Sequence, residues 1–227
     1  MTAPDRMSAT VFRPALLAAL AAVCCCPPAL AEEVRGFDDL RFWTGEGANE
    51  SAIVIDWGDG DPRDPLAWGY RWDGAATAED AVLAVVAADR RLAATFDDFG
   101  SDGDPNLFVN SFGYDRDGDG FAADDADDSF AASGDFVSDF RFWEFLTAAT
   151  SPYVGGAWAS SDFGISSTPL VEGLWNGFRF DADFPGPGPG PPVAAPAAVP
   201  EPSTWLLIAA AGALGGGRRV RRRRPAR

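Results

Sequence analysis

Ala52-Ile53-Val54-Ile55-Asp56-Trp57, Gly58-Asp59-Gly60-Asp61-Pro62 and Leu66-Ala67-Trp68-Gly69-Tyr70-Arg71-Trp72 follow one another in the first half of the chain. The first piece is an apolar run with three β-branched residues, which favours a strand. The second is built from Gly, Asp and Pro and reads as a turn or loop. The third reads as the next strand, closed by Asp73-Gly74. Thr77 then suits an N-cap, with Asp80 three residues on as its acidic partner. Over residues 78–95, Ala81, Leu83, Ala84, Val85, Ala87, Ala88 and Leu92 give a broad apolar stripe, and Arg90 and Arg91 suit a helix C-terminus. Two strands and one amphipathic helix predict an α+β fold that is mostly β. Antiparallel sheets would carry the helix 78–95 on one face.

Outward from this stretch, residues 37–43, 106–114, 135–145, 157–163 and 174–180 read as further strands. Aromatics recur along them, among them Phe108, Phe112, Tyr114, Trp143, Trp175 and Phe178. Large rings can build a core in a chain poor in Leu and Ile. The globular domain is expected to span residues 32–184. Alternating Pro and Gly over 185–192 and an Ala/Pro stretch to Val199 predict an extended, semi-rigid spacer over 185–199. No repeat of solenoid period is evident.

Charge is distributed unevenly. Residues 32–199 hold 32 of the chain's 34 acidic residues and 9 of its 18 basic ones, a net charge of −23. Such a surface excludes nucleic acid as a partner, because phosphate binding needs basic groups. The acids in this region are mostly Asp, which favours turns, caps and cation loops over helix faces. The chain contains no His and no Lys, and its three cysteines, Cys24, Cys25 and Cys26, all precede residue 32. Histidine-assisted nucleophiles, thiolate or imidazole zinc sites, lysine Schiff bases and disulfides are therefore unavailable downstream. Carboxylate chemistry and hard-cation binding are what is left.

Both ends read as export signals. Arg6 and Arg13 precede an apolar run over 15–26, and Ala29-Leu30-Ala31 is a small-x-small cleavage site, so residues 1–31 read as a signal peptide for the general secretory (Sec) machinery. Ala21-Ala22-Val23 before the cysteines fits a lipobox poorly. At the other end, Pro200-Glu201-Pro202 leads into the 15 uncharged residues 203–217 and then Arg218, Arg219, Arg221, Arg222, Arg223 and Arg224. As a helix that segment would be roughly 22 Å long, short of the ~30 Å hydrocarbon core. Arginine snorkelling and local thinning make a marginal span feasible, with the basic end in the cytoplasm and the domain outside.

Residues 200–227 resemble the PEP-CTERM sorting domain of Gram-negative bacteria that make exopolysaccharide. The resemblance implies a transmembrane helix after Pro200-Glu201-Pro202 and processing of the tail by exosortase, a membrane transpeptidase-like enzyme. The segment here is shorter than that family's usual helix. Phe42-Trp43-Thr44-Gly45-Glu46-Gly47, Trp68-Gly69-Tyr70-Arg71-Trp72-Asp73-Gly74 and Gly113-Tyr114-Asp115 also resemble an ectodomain of no assigned activity found on such proteins. That second resemblance implies a domain boundary and nothing about chemistry.

The sharpest chemical motif is Asp115-Arg116-Asp117-Gly118-Asp119-Gly120. Asp at loop positions 1, 3 and 5 with Gly at 6 is the first half of an EF-hand-like calcium loop. Asp115, Asp117 and Asp119 would supply carboxylates and Phe121 a backbone carbonyl. The second half departs from the pattern, with Ala126 where a bidentate Glu is expected, and Asp124, Asp125, Asp127 or Asp128 is close enough to substitute. Calcium is the expected cofactor, if any. Asp56, Asp59, Asp61 and Asp64, and Asp102 with Asp104, form weaker acidic groups.

Trp43, Trp68, Trp72, Trp158 and Trp175 could stack sugars, but tryptophan in strands is more often core. Glu46, Glu79, Glu144 and Glu172 show no spacing that marks an acid–nucleophile pair for glycoside hydrolysis. The expected function is a non-catalytic exported protein of the cell surface or extracellular matrix, acidic and calcium-stabilised, with exopolysaccharide as a partner. The alternative is a glycan or small-ligand binding module on the same surface, with a carboxylate-based glycosidase as the lesser one.

Overall fold

The computed structural model describes residues 32–58, 60–101, 105–134, 141–181 and 185–197. The expected signal peptide with Ala29 and Ala31, the sorting tail with its short apolar helix, and Asp59, Asp102 and Asp104 lie outside the described residues. The described elements are β1 (Trp43–Gly45), β2 (Asn49–Asp56), β3 (Leu66–Trp72), α1 (Ala78–Ala88), β4 (Leu92–Asp98), β5 (Leu107–Tyr114), β6 (Ser129–Ala132), β7 (Phe142–Ala148), β8 (Ala159–Ser160), β9 (Trp175–Asp181) and β10 (Val193–Ala194). The fold is mostly β with one α-helix among the described residues, as the sequence predicts. None of these helices is long and apolar enough to cross a membrane.

Seven strands form one sheet in the order β1-β3-β2-β9-β7-β8, with β10 also on β3, and β4-β5-β6 form a second. The second sheet is antiparallel throughout. The large sheet is mixed: β2 runs parallel to β9, and β1 and β10 run parallel to β3. A parallel pair needs a long crossover. Here everything from β3 to β8 intervenes between β2 and β9, and it returns α1 and the small sheet to one face. On that face Ile53, Ile55, Trp68 and Phe178 meet Val82 and Val85 of α1 and Phe112 of β5. On the other, Ala52, Val54, Ala67 and Trp175 meet Val34 and Leu40 from the N-terminal segment. This two-sided cover explains why Ser51–Asp56 is buried at every position and reads as a continuous apolar run.

The helix begins where expected and ends early. Thr77 Oγ1 accepts from the Asp80 N–H at 3.4 Å, and Asp80 Oδ2 accepts from the Thr77 N–H at 2.8 Å. It stops at Ala88, seven residues short of the expected end, because Asp89 adopts extended backbone. The Asp89 carboxylate accepts from Trp68 Nε1 at 3.0 Å and from Arg91 Nε at 2.9 Å. Residues 92–95 then pair with β5. Tertiary hydrogen bonds and strand pairing outweigh the local helical preference of these residues. Of the stretch 37–43, residues 37–39 form a 3-10 turn and only Trp43 is in a strand. Of the stretch 157–163, only Ala159–Ser160 is.

The Pro/Gly stretch read as a spacer lies against the domain over its described length. Val193 and Ala195 donate to the carbonyls of Pro65 and Ala67 at 2.9 Å each, and Val34 donates to Pro192 at 2.7 Å. Gly190 N–H donates to buried Asp56 Oδ2 at 2.8 Å, and Trp158 Nε1 donates to Pro189 O at 3.2 Å. Segments from both ends of the domain thus close one edge of the large sheet.

Candidate metal centre

β5 delivers Asp115 at its C-terminal end, and β6 is preceded by Asp128. The antiparallel register Tyr114↔Ser129 sets the two side by side. One carboxylate oxygen from each of Asp115, Asp117 and Asp128 lies within 4.8 Å of the other two. Asp115 and Asp128 are buried, whereas Asp117 is exposed. Asp115 accepts from the N–H groups of Gly118 (2.6 Å) and Gly120 (3.1 Å), and Asp128 from those of Arg116 (3.0 Å) and Ala122 (2.9 Å). These bonds wrap the backbone around the carboxylates. Gly118 and Gly120 have φ of +88° and +114°, a region that disfavours side chains, which accounts for both glycines.

Of the residues expected to bind calcium, Asp115 and Asp117 meet. Asp119 is not in the group that converges, and Asp128 takes that place. The Asp117 charge pushes the Asp119 carboxyl above its ordinary range. The Phe121 ring packs beside Phe130 at 5.8 Å.

Two arginines tie this loop to the first acidic loop. Arg116 Nε donates to Ser129 Oγ at 2.8 Å and Nη2 to Asp64 O at 3.0 Å, while its guanidinium lies 5.2 Å from the Trp57 ring. Arg63 donates to the Asp127 carbonyl and pairs with Asp61 at 2.6 Å. Burial raises the Asp61 pKa, but the Arg63 bonds hold it net below the usual carboxylate range. Asp56 is paired with Arg179 at 3.0 Å. Asp56 and Asp61 of the first acidic loop are thus held in ion pairs, and among the described residues the carboxylates that converge as a candidate cation site are those of the 115–128 loop.

The five tryptophans weighed as sugar platforms are buried or half-buried, in keeping with the expectation that tryptophan in strands is core. Trp68, Trp72 and Trp175 are buried, Trp43 is half-buried under Arg71, and Trp158 is half-buried on Pro189. Exposed aromatics are found elsewhere. A cavity of about 610 Å³ opens between β5, β7 and β8, with Phe99, Phe108 and Phe163 among its lining residues. Those rings are 68%, 52% and 65% exposed, so the domain presents phenylalanine, not tryptophan, to its surroundings. Sequence reading counted Phe108 among the core rings and singled out neither Phe99 nor Phe163, because residue type alone does not tell an exposed phenylalanine from a buried one.

Residues 198–224, which include Pro200-Glu201-Pro202 and the arginine cluster, match the family model described as the PEP-CTERM protein-sorting motif. The chain carries a PEP-CTERM protein-sorting motif. Neither the curated proteins nor the solved structures include a match to the chain. The PEP-CTERM motif supports export to the cell envelope, processing by exosortase and membrane association through the C-terminus.

Proposed function

We propose that the mature chain is a non-catalytic protein of the outer cell surface or extracellular matrix whose acidic domain is stabilised by calcium at Asp115, Asp117 and Asp128. The convergence of three carboxylates from two strand ends carries this reading. Calcium takes roughly six to eight oxygens, so loop carbonyls and water would complete the shell. A cation there offsets part of the self-repulsion of a domain with net charge −23. The absence of His, Cys and Lys after residue 31 supports a role without His-, Cys- or Lys-based nucleophilic catalysis and without soft-metal catalysis. The sorting route supports exopolysaccharide as a neighbour at the surface.

Melting curves test the calcium reading. Calcium at about ten times its Kd should add about 1.4 kcal/mol, or roughly 3–6 °C, over chelator. Asp117→Asn should abolish the shift. Asp119→Asn should preserve it and relieve repulsion with Asp117. Acidification also has a sign. Asp119 has a raised pKa, so its protonation relieves the repulsion with Asp117, while protons compete with calcium for any carboxylate ligand. The calcium increment should therefore vanish as pH falls into the carboxylate range. Superimposable curves with calcium and chelator at neutral pH would refute the site.

A further inference from the structure

We propose that the cavity between β5, β7 and β8 is a binding site for an uncharged oligosaccharide. It shares no residue with the calcium loop, so the two readings fail separately. Three of the domain's exposed large apolar side chains, Phe99, Phe108 and Phe163, gather on this one cavity. Phe99 and Phe108 meet edge to face at 5.6 Å, which holds both rings in place. Deeper in, Phe145 stacks on Phe178 at 5.1 Å, and Trp143 also lines the wall. Fixed rings on a solvent-facing rim suit a ligand with flat C–H faces.

Charge and hydrogen bonding narrow the ligand. Among the described residues, Asp97, Glu144 and Asp162 line the cavity against a single cation, Arg141, so anionic ligands are disfavoured. The side chains of Asp97, Asn110, Ser133 and Asp162 make no hydrogen bond among the described residues. An aliphatic ligand covering them would leave these groups desolvated and unpartnered, which disfavours it. A polyol supplies donors to the carboxylates and both donors and acceptors to Asn110 and Ser133. Glu144 is already engaged: Ser160 Oγ donates to one of its oxygens, and Gly186 N–H donates to the other at 2.7 Å. It braces the wall and ties it to the Pro/Gly strap, so the site is built for holding a saccharide.

Calorimetric titration of the full chain, in a detergent without a sugar headgroup, tests this with maltohexaose, cellohexaose and a β-1,3-glucan hexamer. At least one should bind with a Kd on the order of 1 mM. Phe108→Ala and Phe163→Ala should each weaken it about tenfold with an unchanged melting temperature, because both rings are exposed. Asp162→Asn should weaken it less, and Asp117→Asn should leave it unchanged. Absence of heat with every hexasaccharide at about 10 mM would overturn the proposal. So would binding that ignores both phenylalanine variants, or binding only of oligolysine or a fatty acid.

Discussion

Asp89→Ala is expected to remove about 3–5 kcal/mol of folding stability. Asp89 is 2% exposed and is the shared acceptor for β3, β5 and the turn after α1. Trp68 Nε1 of β3 donates to it at 3.0 Å, Arg91 donates through Nε and Nη2, and the Tyr114 hydroxyl of β5 lies at 3.5 Å. Arg91 also reaches the Pro196 carbonyl at 2.6 Å, so the strap's end hangs on the same network. Alanine leaves a buried indole N–H and weakens the hold on a half-buried guanidinium. Urea unfolding followed by tryptophan fluorescence reads the loss, and a change under about 1 kcal/mol would contradict the role given to this residue. The same network fixes an alkaline limit. Burial, and then the Asp89 charge, push the Tyr114 phenol well above its ordinary value. The neutral phenol is thus favoured in the folded state, and stability should decline as pH rises past the unfolded tyrosine value.

Asp56→Ala is expected to cost a similar amount and, unlike Asp89→Ala, to loosen the strap along its length. The Asp56 carboxylate accepts from Gly58 N–H at 2.8 Å, Arg179 Nη1 at 3.0 Å and Gly190 N–H at 2.8 Å. Its removal strips one acceptor from three donors in a buried setting, about 3–5 kcal/mol. Amide exchange at Gly190, Val193 and Ala195 should accelerate before the sheet itself opens. Protection at these amides equal to wild type would show that the strap is held by something else.

The sequence made β3 legible to the residue, because Leu66–Trp72 is an apolar run bounded by turn residues. It also placed the N-terminus of α1, since Thr77 and Asp80 act within one turn of chain. The end of α1 was hidden, because Ala87, Ala88 and Leu92 fit a 3.6-residue period while residues 92–95 are taken by a partner that follows them in the chain. The strap was hidden for a different reason. Proline lacks an N–H, so the composition suggests an unpaired stalk, yet Pro189, Pro192 and Pro196 all offer carbonyls and the few N–H groups at Gly190, Val193 and Ala195 find acceptors. In the acidic loop, spacing singled out Asp115 and Asp117, whose carboxylates the structure brings together. The choice of Asp128 over Asp119 depended on the β5–β6 register, which no local pattern encodes.

Export through both ends of the chain is tested most directly by cell fractionation with an antibody to the domain, followed by mass spectrometry of both termini. The recovered protein should be in the envelope or the medium, begin at Glu32, and have lost the arginine-rich end beyond Pro200-Glu201-Pro202. A polypeptide still running from Met1 to Arg227 in the cytosol would contradict it.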